Sequence, residues 1–192
     1  MQPIHYLVSV TALGADQLIP IGFKPRYVHI QNLTDLGEFE FYEGMTDDHA
    51  LYIDGATGIQ TEVSSNGITP TAGTGHSVTL PGVSATQVAS DPAAALTVGT
   101  SITVTAGSNI VTGVGTAFAS ELFKGARFKV NGEIHVVKSY TTALVITTEA
   151  PFVASAVATS GKRLDPLPPG IFLGADTNMN AAADVLRLIA VP

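Results

Sequence analysis

The strictest constraint in this chain is a period of two. In Glu38-Phe39-Glu40-Phe41-Tyr42 the phenylalanines point one way and the glutamates the other. In Arg26-Tyr27-Val28-His29-Ile30-Gln31, Val28 and Ile30 share a face opposite Tyr27, His29 and Gln31. Side chains of an extended strand alternate between two faces, so these runs fit half-buried strands and cannot form a helical stripe. Tyr6–Val10, Ala50–Ile53, Ser77–Leu80 and Val185–Val191 also read as strands. Helical periodicity is almost absent, since Asn180-Ala181-Ala182-Ala183-Asp184 offers one turn and is too short to stand alone. Stretches rich in Gly, Pro, Asp and Thr, such as 65–73 (Ser65-Asn66-Gly67-Ile68-Thr69-Pro70-Thr71-Ala72-Gly73), read as loops. An all-β chain is expected.

From Thr97 to Arg163 the pattern changes character. Ser101–Thr105 alternates Ile102 and Val104 with hydroxyl residues, and Asn109–Thr112 follows. Gly113-Val114-Gly115 reads as a tight turn ahead of a short helical turn within Phe118–Phe123. Arg127–Val130 and Glu133–Lys138 are joined by Asn131-Gly132. Asn-Gly between alternating runs is a strong hairpin signal, because both central residues of a type I′ turn need positive φ. Leu144–Thr148 adds another strand, and so many short strands suggest a small barrel or sandwich. Charge separates the segment as well. Six basic residues (Lys124, Arg127, Lys129, Lys138, Lys162, Arg163) against Glu121, Glu133 and Glu149 leave it at +3. The remainder sets Lys24, Arg26 and Arg187 against thirteen acids, or −10, for a net −7. The flexible run Ala85–Ala95 and the stiff Asp165-Pro166-Leu167-Pro168-Pro169-Gly170 have linker compositions. The expected organisation is a discontinuous β-sandwich or barrel parent domain, residues 1–96 and 164–192, with a small β-barrel-like domain, 97–163, inserted into it.

Composition removes several functions. Without cysteine there is no disulfide, no thiolate zinc site and no thiol nucleophile. An acidic chain with scattered Lys and Arg suits phosphate neutralisation poorly, so no nucleic-acid partner is expected. No apolar run is long enough to span a bilayer, and Met1-Gln2-Pro3-Ile4-His5-Tyr6 does not look like a secretory signal, so no membrane partner is expected. Only 13% of residues are charged, against about 25% in ordinary soluble domains. That is the composition of an assembly part.

Candidate chemistry is sparse. Asp47-Asp48-His49 with Asp54 is the densest ligand cluster, but it matches no calcium-loop spacing and reads as a solvated acidic turn. The five histidines (His5, His29, His49, His76, His135) form no local zinc pair. There is no Gly-x-Ser-x-Gly elbow. Glu38 and Glu40 share a strand face about 7 Å apart, within the range used by glycosidase carboxylates, yet they also read as the wet face of an amphipathic strand. Asn32-Leu33-Thr34 is a glycosylation sequon only in a secreted protein. Neither an enzymatic role nor any cofactor or metal is expected. Arg127 and Lys129 alternate with Phe128 and Val130 on one outward face, which fits either an acidic partner surface or plain solvation.

The run 107–118 (Gly107-Ser108-Asn109-Ile110-Val111-Thr112-Gly113-Val114-Gly115-Thr116-Ala117-Phe118), continuing through Leu122, Gly125, Phe128, Val130, Gly132 and Val136-Val137, resembles a β-module of tailed-bacteriophage virion proteins. It covers about a third of the chain. Two flanking stretches, 22–32 (Gly22-Phe23-Lys24-Pro25-Arg26-Tyr27-Val28-His29-Ile30-Gln31-Asn32) and 170–190, resemble capsid decoration (cement) proteins. The resemblance implies a non-enzymatic virion structural protein on the capsid exterior, made in the bacterial host cytoplasm. It also implies the major capsid protein as partner and a homotrimer that stabilises the shell. In that setting Ile4, Tyr6, Tyr42 and Tyr52 are the expected apolar contacts, with Arg127 and Lys129 as a basic contact, and the N-terminal arm Met1–Val8 can add a strand to a neighbour. The alternatives are a receptor- or glycan-binding module of a tail fibre or baseplate, and a head-tail joining or tail-tube protein.

Overall fold

In a computed structural model, which describes residues 6–73 and 94–192, the protein is nearly all β. The first strands are β1 (Tyr6–Thr11), β2 (Gln17–Pro20), β3 (Tyr27–Asn32), β4 (Glu38–Tyr42), β5 (His49–Ile53) and β6 (Gln60–Thr71). Then come β7 (Ala94–Ala95), β8 (Ser101–Val104), β9 (Ile110–Val114), the one-turn helix α1 (Phe118–Glu121), β10 (Arg127–Val130) and β11 (Glu133–Thr142). The last are β12 (Val145–Thr148), β13 (Ala156–Ala158), β14 (Gly161–Arg163), β15 (Gly170–Leu173) and β16 (Val185–Val191). They form two antiparallel sheets, ordered β1-β16-β3-β4-β5-β6-β15-β2 and β13-β8-β9-β12-β11-β10-β14-β7.

Connectivity forces both sheets to curl. In the second, β13 and β14 are six strand spacings apart, roughly 29 Å if flat. Only Thr159 and Ser160 join them, and three residue steps reach about 11 Å. In the first, β1 and β2 lie at opposite edges, roughly 34 Å apart if flat, while the six steps from Thr11 to Gln17 reach about 21 Å. Across that seam Tyr6 Oη donates to Pro20 O at 3.4 Å and Gln17 Nε2 donates to Thr11 O at 3.3 Å. Side-chain bonds stand there in place of a ladder.

Each sheet has its own core. The first packs Val28, Ile30, Phe39, Ile68, Ile171, Leu173, Met179 and Leu188, and the second packs Ile102, Val111, Phe118, Leu122, Phe128, Ile146 and Phe152. All are essentially fully buried, and each large side chain removed from water favours folding by about 1.5–3 kcal/mol. The hairpin between β10 and β11 turns at Asn131 and Gly132 with φ of 51° and 84°, as a type I′ turn requires. Beyond β14, Asp165 accepts hydrogen bonds from the Arg127 side chain and backbone, and its carbonyl accepts one from Arg163 Nε at 2.7 Å. The segment leaving the second sheet is thereby fastened to it.

Two expectations are corrected. Residues 65–71 belong to β6 and are not a loop. The strand pairs His49 with Ile68 and Ala50 with Val63, so 64–67 form a bulge, with Asn66 at φ 58°. Pro70 is tolerated because only β15 is registered with it there, β5 having ended at His49. Gly113 and Val114 lie in β9, and only Gly115 turns, at φ 67°. Ser77–Leu80 and most of Ala85–Ala95 lie outside the described residues.

Candidate functional site

Strand alternation gives the second sheet an outward surface with two distinct halves. The first half spans β13, β8, β9 and β12. Val157, Thr103, Thr112 and Val145 stand in one registered row, with Thr142 of β11 beyond them. Ser101 faces Val114, and Ile110 faces Thr147, whose hydroxyl meets Ser139 at 2.6 Å. None of these outward residues is charged. Val157 is 71% exposed, and Ile110 and Val114 are each 50% exposed. β-Branched residues suit a pleated surface, but a contiguous exposed apolar patch on a monomer marks an interaction site. This face thus carries exposed β-branched aliphatic side chains among hydroxyl residues, without charge.

The second half lies on β10 and β14. Arg127 and Lys129 share an outward face, and Lys129 is registered directly against Lys162. Arg127 is neutralised within the chain: its Nη2 reaches Asp165 Oδ1 at 2.7 Å and its Nε reaches the same oxygen at 3.0 Å. The Asp165 carboxylate holds the guanidinium pKa above its ordinary value. Ile134, opposite Lys129 on β11, is 58% exposed.

Of the three candidate tyrosines, Tyr42 is exposed and Tyr6 and Tyr52 are half-buried. Tyr52 lies within β5 on the core-facing side, its ring stacked on Phe39 at 4.7 Å, so it is half-buried against the first core. Burial, then Asp54, pushes its hydroxyl pKa up. Its spacing from Ala50 by two residues is the signal that places it on the core-facing side. Tyr6 is also half-buried against the first core, with its hydroxyl turned to Pro20 across the seam. Tyr42 is 50% exposed at the end of β4, opposite Tyr27. Ile4 lies outside the described residues.

The polar groups of the first sheet are engaged with one another. Glu40 accepts from Tyr27 Oη at 3.0 Å, and burial followed by Glu40 pushes the Tyr27 pKa up to about 12. Glu38 accepts from Gln31 Nε2 at 3.4 Å and faces His29 Nε2 at 3.4 Å. His49 pairs with Glu62 at 2.9 Å. Asp54 accepts from the backbone of Ala56 and Thr57 and from the Thr57 hydroxyl, which lowers its pKa and makes it a turn former. Asn32 of the sequon is fully buried, and its Nδ2 donates to Asp184 Oδ2 at 2.7 Å, so it is closed to a glycan. Among the described residues no three metal-ligating side chains converge, and no helix is long and apolar enough to cross a membrane. A cleft of about 500 Å³ runs between Val10–Leu13 of the first sheet and Ser139–Thr142 of the second, and Lys124 is its one charged lining residue.

Comparison with protein-family models, with curated proteins and with solved structures finds no match to this chain.

Proposed function

We propose that the chain is a non-enzymatic virion structural protein of a tailed bacteriophage. It acts as a decoration protein on the capsid exterior, bound as a trimer to the major capsid protein. The single observation that supports this reading is the charge-free, β-branched outward face around Ile110, Val114, Val145 and Val157. The contact is assigned to that face because Tyr6 and Tyr52 are half-buried against the first core, which leaves Tyr42 as the exposed tyrosine of the three. A protein that binds only the assembled shell lowers the free energy of that state by linkage. Three copies bridging different capsid subunits add avidity without new contacts. A stable contact needs roughly 800 Å² on each partner, and a sheet face without charge contributes to such a contact without burying unpaired ions.

The test is co-sedimentation of purified protein with capsids, of the virus that encodes it, from which it has been removed. Saturable binding that Val114→Lys and Val157→Lys abolish, with melting temperature unchanged, supports the reading. Failure of the unaltered protein to bind overturns it.

A further inference from the structure

Lys129 and Lys162 face each other across the β10–β14 ladder, both outward and exposed. Among the described residues neither lysine side chain has an ion-pair or hydrogen-bond partner. Like charges directly opposite weaken a sheet, and Arg127 beside them shows how the chain neutralises a cation where it has an acid to do so. Ile134, on the other side of Lys129, adds an exposed apolar side chain. The outward face of the first sheet is complementary. Glu40, Leu51 and Glu62 form one registered row across β4, β5 and β6, and Glu38 and Ile53 lie in the adjacent row. Two half-buried apolar side chains are thus framed by three carboxylates.

We propose that Lys129, Lys162 and Ile134 of one copy dock on the Glu38, Glu40 and Glu62 face of a second copy of this chain. Each copy uses a different surface for its two neighbours, so the contact is head-to-tail and generates a ring where the rotation closes. The inference rests on the oligomeric part of the proposed function and is independent of the capsid. Charge complementarity of this kind sets register and speeds encounter, and it weakens with salt.

Analytical ultracentrifugation of the full chain tests it. The unaltered protein is expected to self-associate at low salt and to dissociate towards about 1 M salt, where the Debye length falls to about 3 Å. Lys129→Glu/Lys162→Glu and Glu40→Lys/Glu62→Lys proteins are each expected to associate at least about tenfold more weakly. Their equimolar mixture regains pairwise association, because each reversed face then meets its opposite, while a three-membered ring retains one mismatched contact and does not close. Folding of both variants is checked by circular dichroism and melting, and the mixture provides the rescue. If the unaltered protein is oligomeric and both variants remain so, the docking assignment fails while the oligomer stands. If the mixture does not associate, or the unaltered protein is a monomer at every concentration, the assignment fails as well. Capsid binding by an oligomer assembled through other surfaces leaves the proposed function intact.

Discussion

Glu133 and His135 stand two residues apart on one side of β11 and meet at 3.2 Å between Oε2 and Nε2. Together they fasten the loop between β12 and β13. Glu133 accepts the backbone N–H groups of Val153 and Ala154 at 2.9 and 3.0 Å. The His135 ring stacks on Phe152 at 3.8 Å and its Nδ1 lies 3.2 Å from Ala150 O.

A pH dependence follows from Glu133. Its two backbone hydrogen bonds, with a smaller contribution from His135, lower its pKa below the ordinary carboxylate value. A group with a lowered folded pKa contributes stability that is fully present above the unfolded pKa and is lost as pH falls through the folded one. Thermal melts of the unaltered protein and Glu133→Gln are therefore expected to differ at neutral pH and to converge on acidification. A constant difference across that range contradicts the assignment.

The two cores predict two responses. Phe39→Ala and Phe128→Ala each empty a fully buried site, at a cost of about 3–5 kcal/mol. If residues 97–163 form a separately cooperative unit, calorimetry resolves two transitions, with Phe128→Ala lowering one and Phe39→Ala the other. One transition shifted by both substitutions contradicts that division.

Much of this architecture is legible in the sequence, and the gaps have physical causes. β3, β4, β16 and the Asn131-Gly132 hairpin are found because each has one wet face, which imprints the alternation. β2 and β15 escape because they are buried on nearly every residue and do not alternate. β6 is masked by Asn66-Gly67 and Pro70, which signal a loop in sequence and a bulge and a one-sided ladder in the fold. The charge-free face is written in the outward residues of β8, β9 and β12, all Ser, Thr, Val or Ile, but only the register joins them into a surface. The Arg127–Asp165 pair spans 38 residues and leaves no local trace.

Two glycine substitutions separate crowding from backbone strain. A Cβ on Gly174 would lie 2.3 Å from the Asn66 carbonyl carbon, at the β6 bulge where Gly174 N donates to Gly67 O. Backbone cannot yield as a side chain does, so Gly174→Ala is expected to disrupt that corner. Gly132 has open space but φ 84°, and Gly132→Ala is expected to cost about 1–2 kcal/mol. Chemical denaturation of both variants ranks them.

Asn180 is the internal tie of the first sheet. It is 1% exposed, accepts Leu13 N at 3.1 Å, and donates to Ala15 O at 2.7 Å and Gly174 O at 3.0 Å. Asn180→Ala leaves the buried Gly174 carbonyl and the partly buried Leu13 and Ala15 backbone groups without this partner and is expected to lower stability by about 1–3 kcal/mol. Denaturant titration with an unchanged m-value checks it.

The proposed role is tested most directly by locating the protein on the particle. Cryo-electron microscopy of virions carrying a tagged copy is expected to show density at repeated positions on the outer surface of the head, with three copies around each local threefold axis. Density confined to the tail or baseplate, or its absence from the particle, contradicts the account.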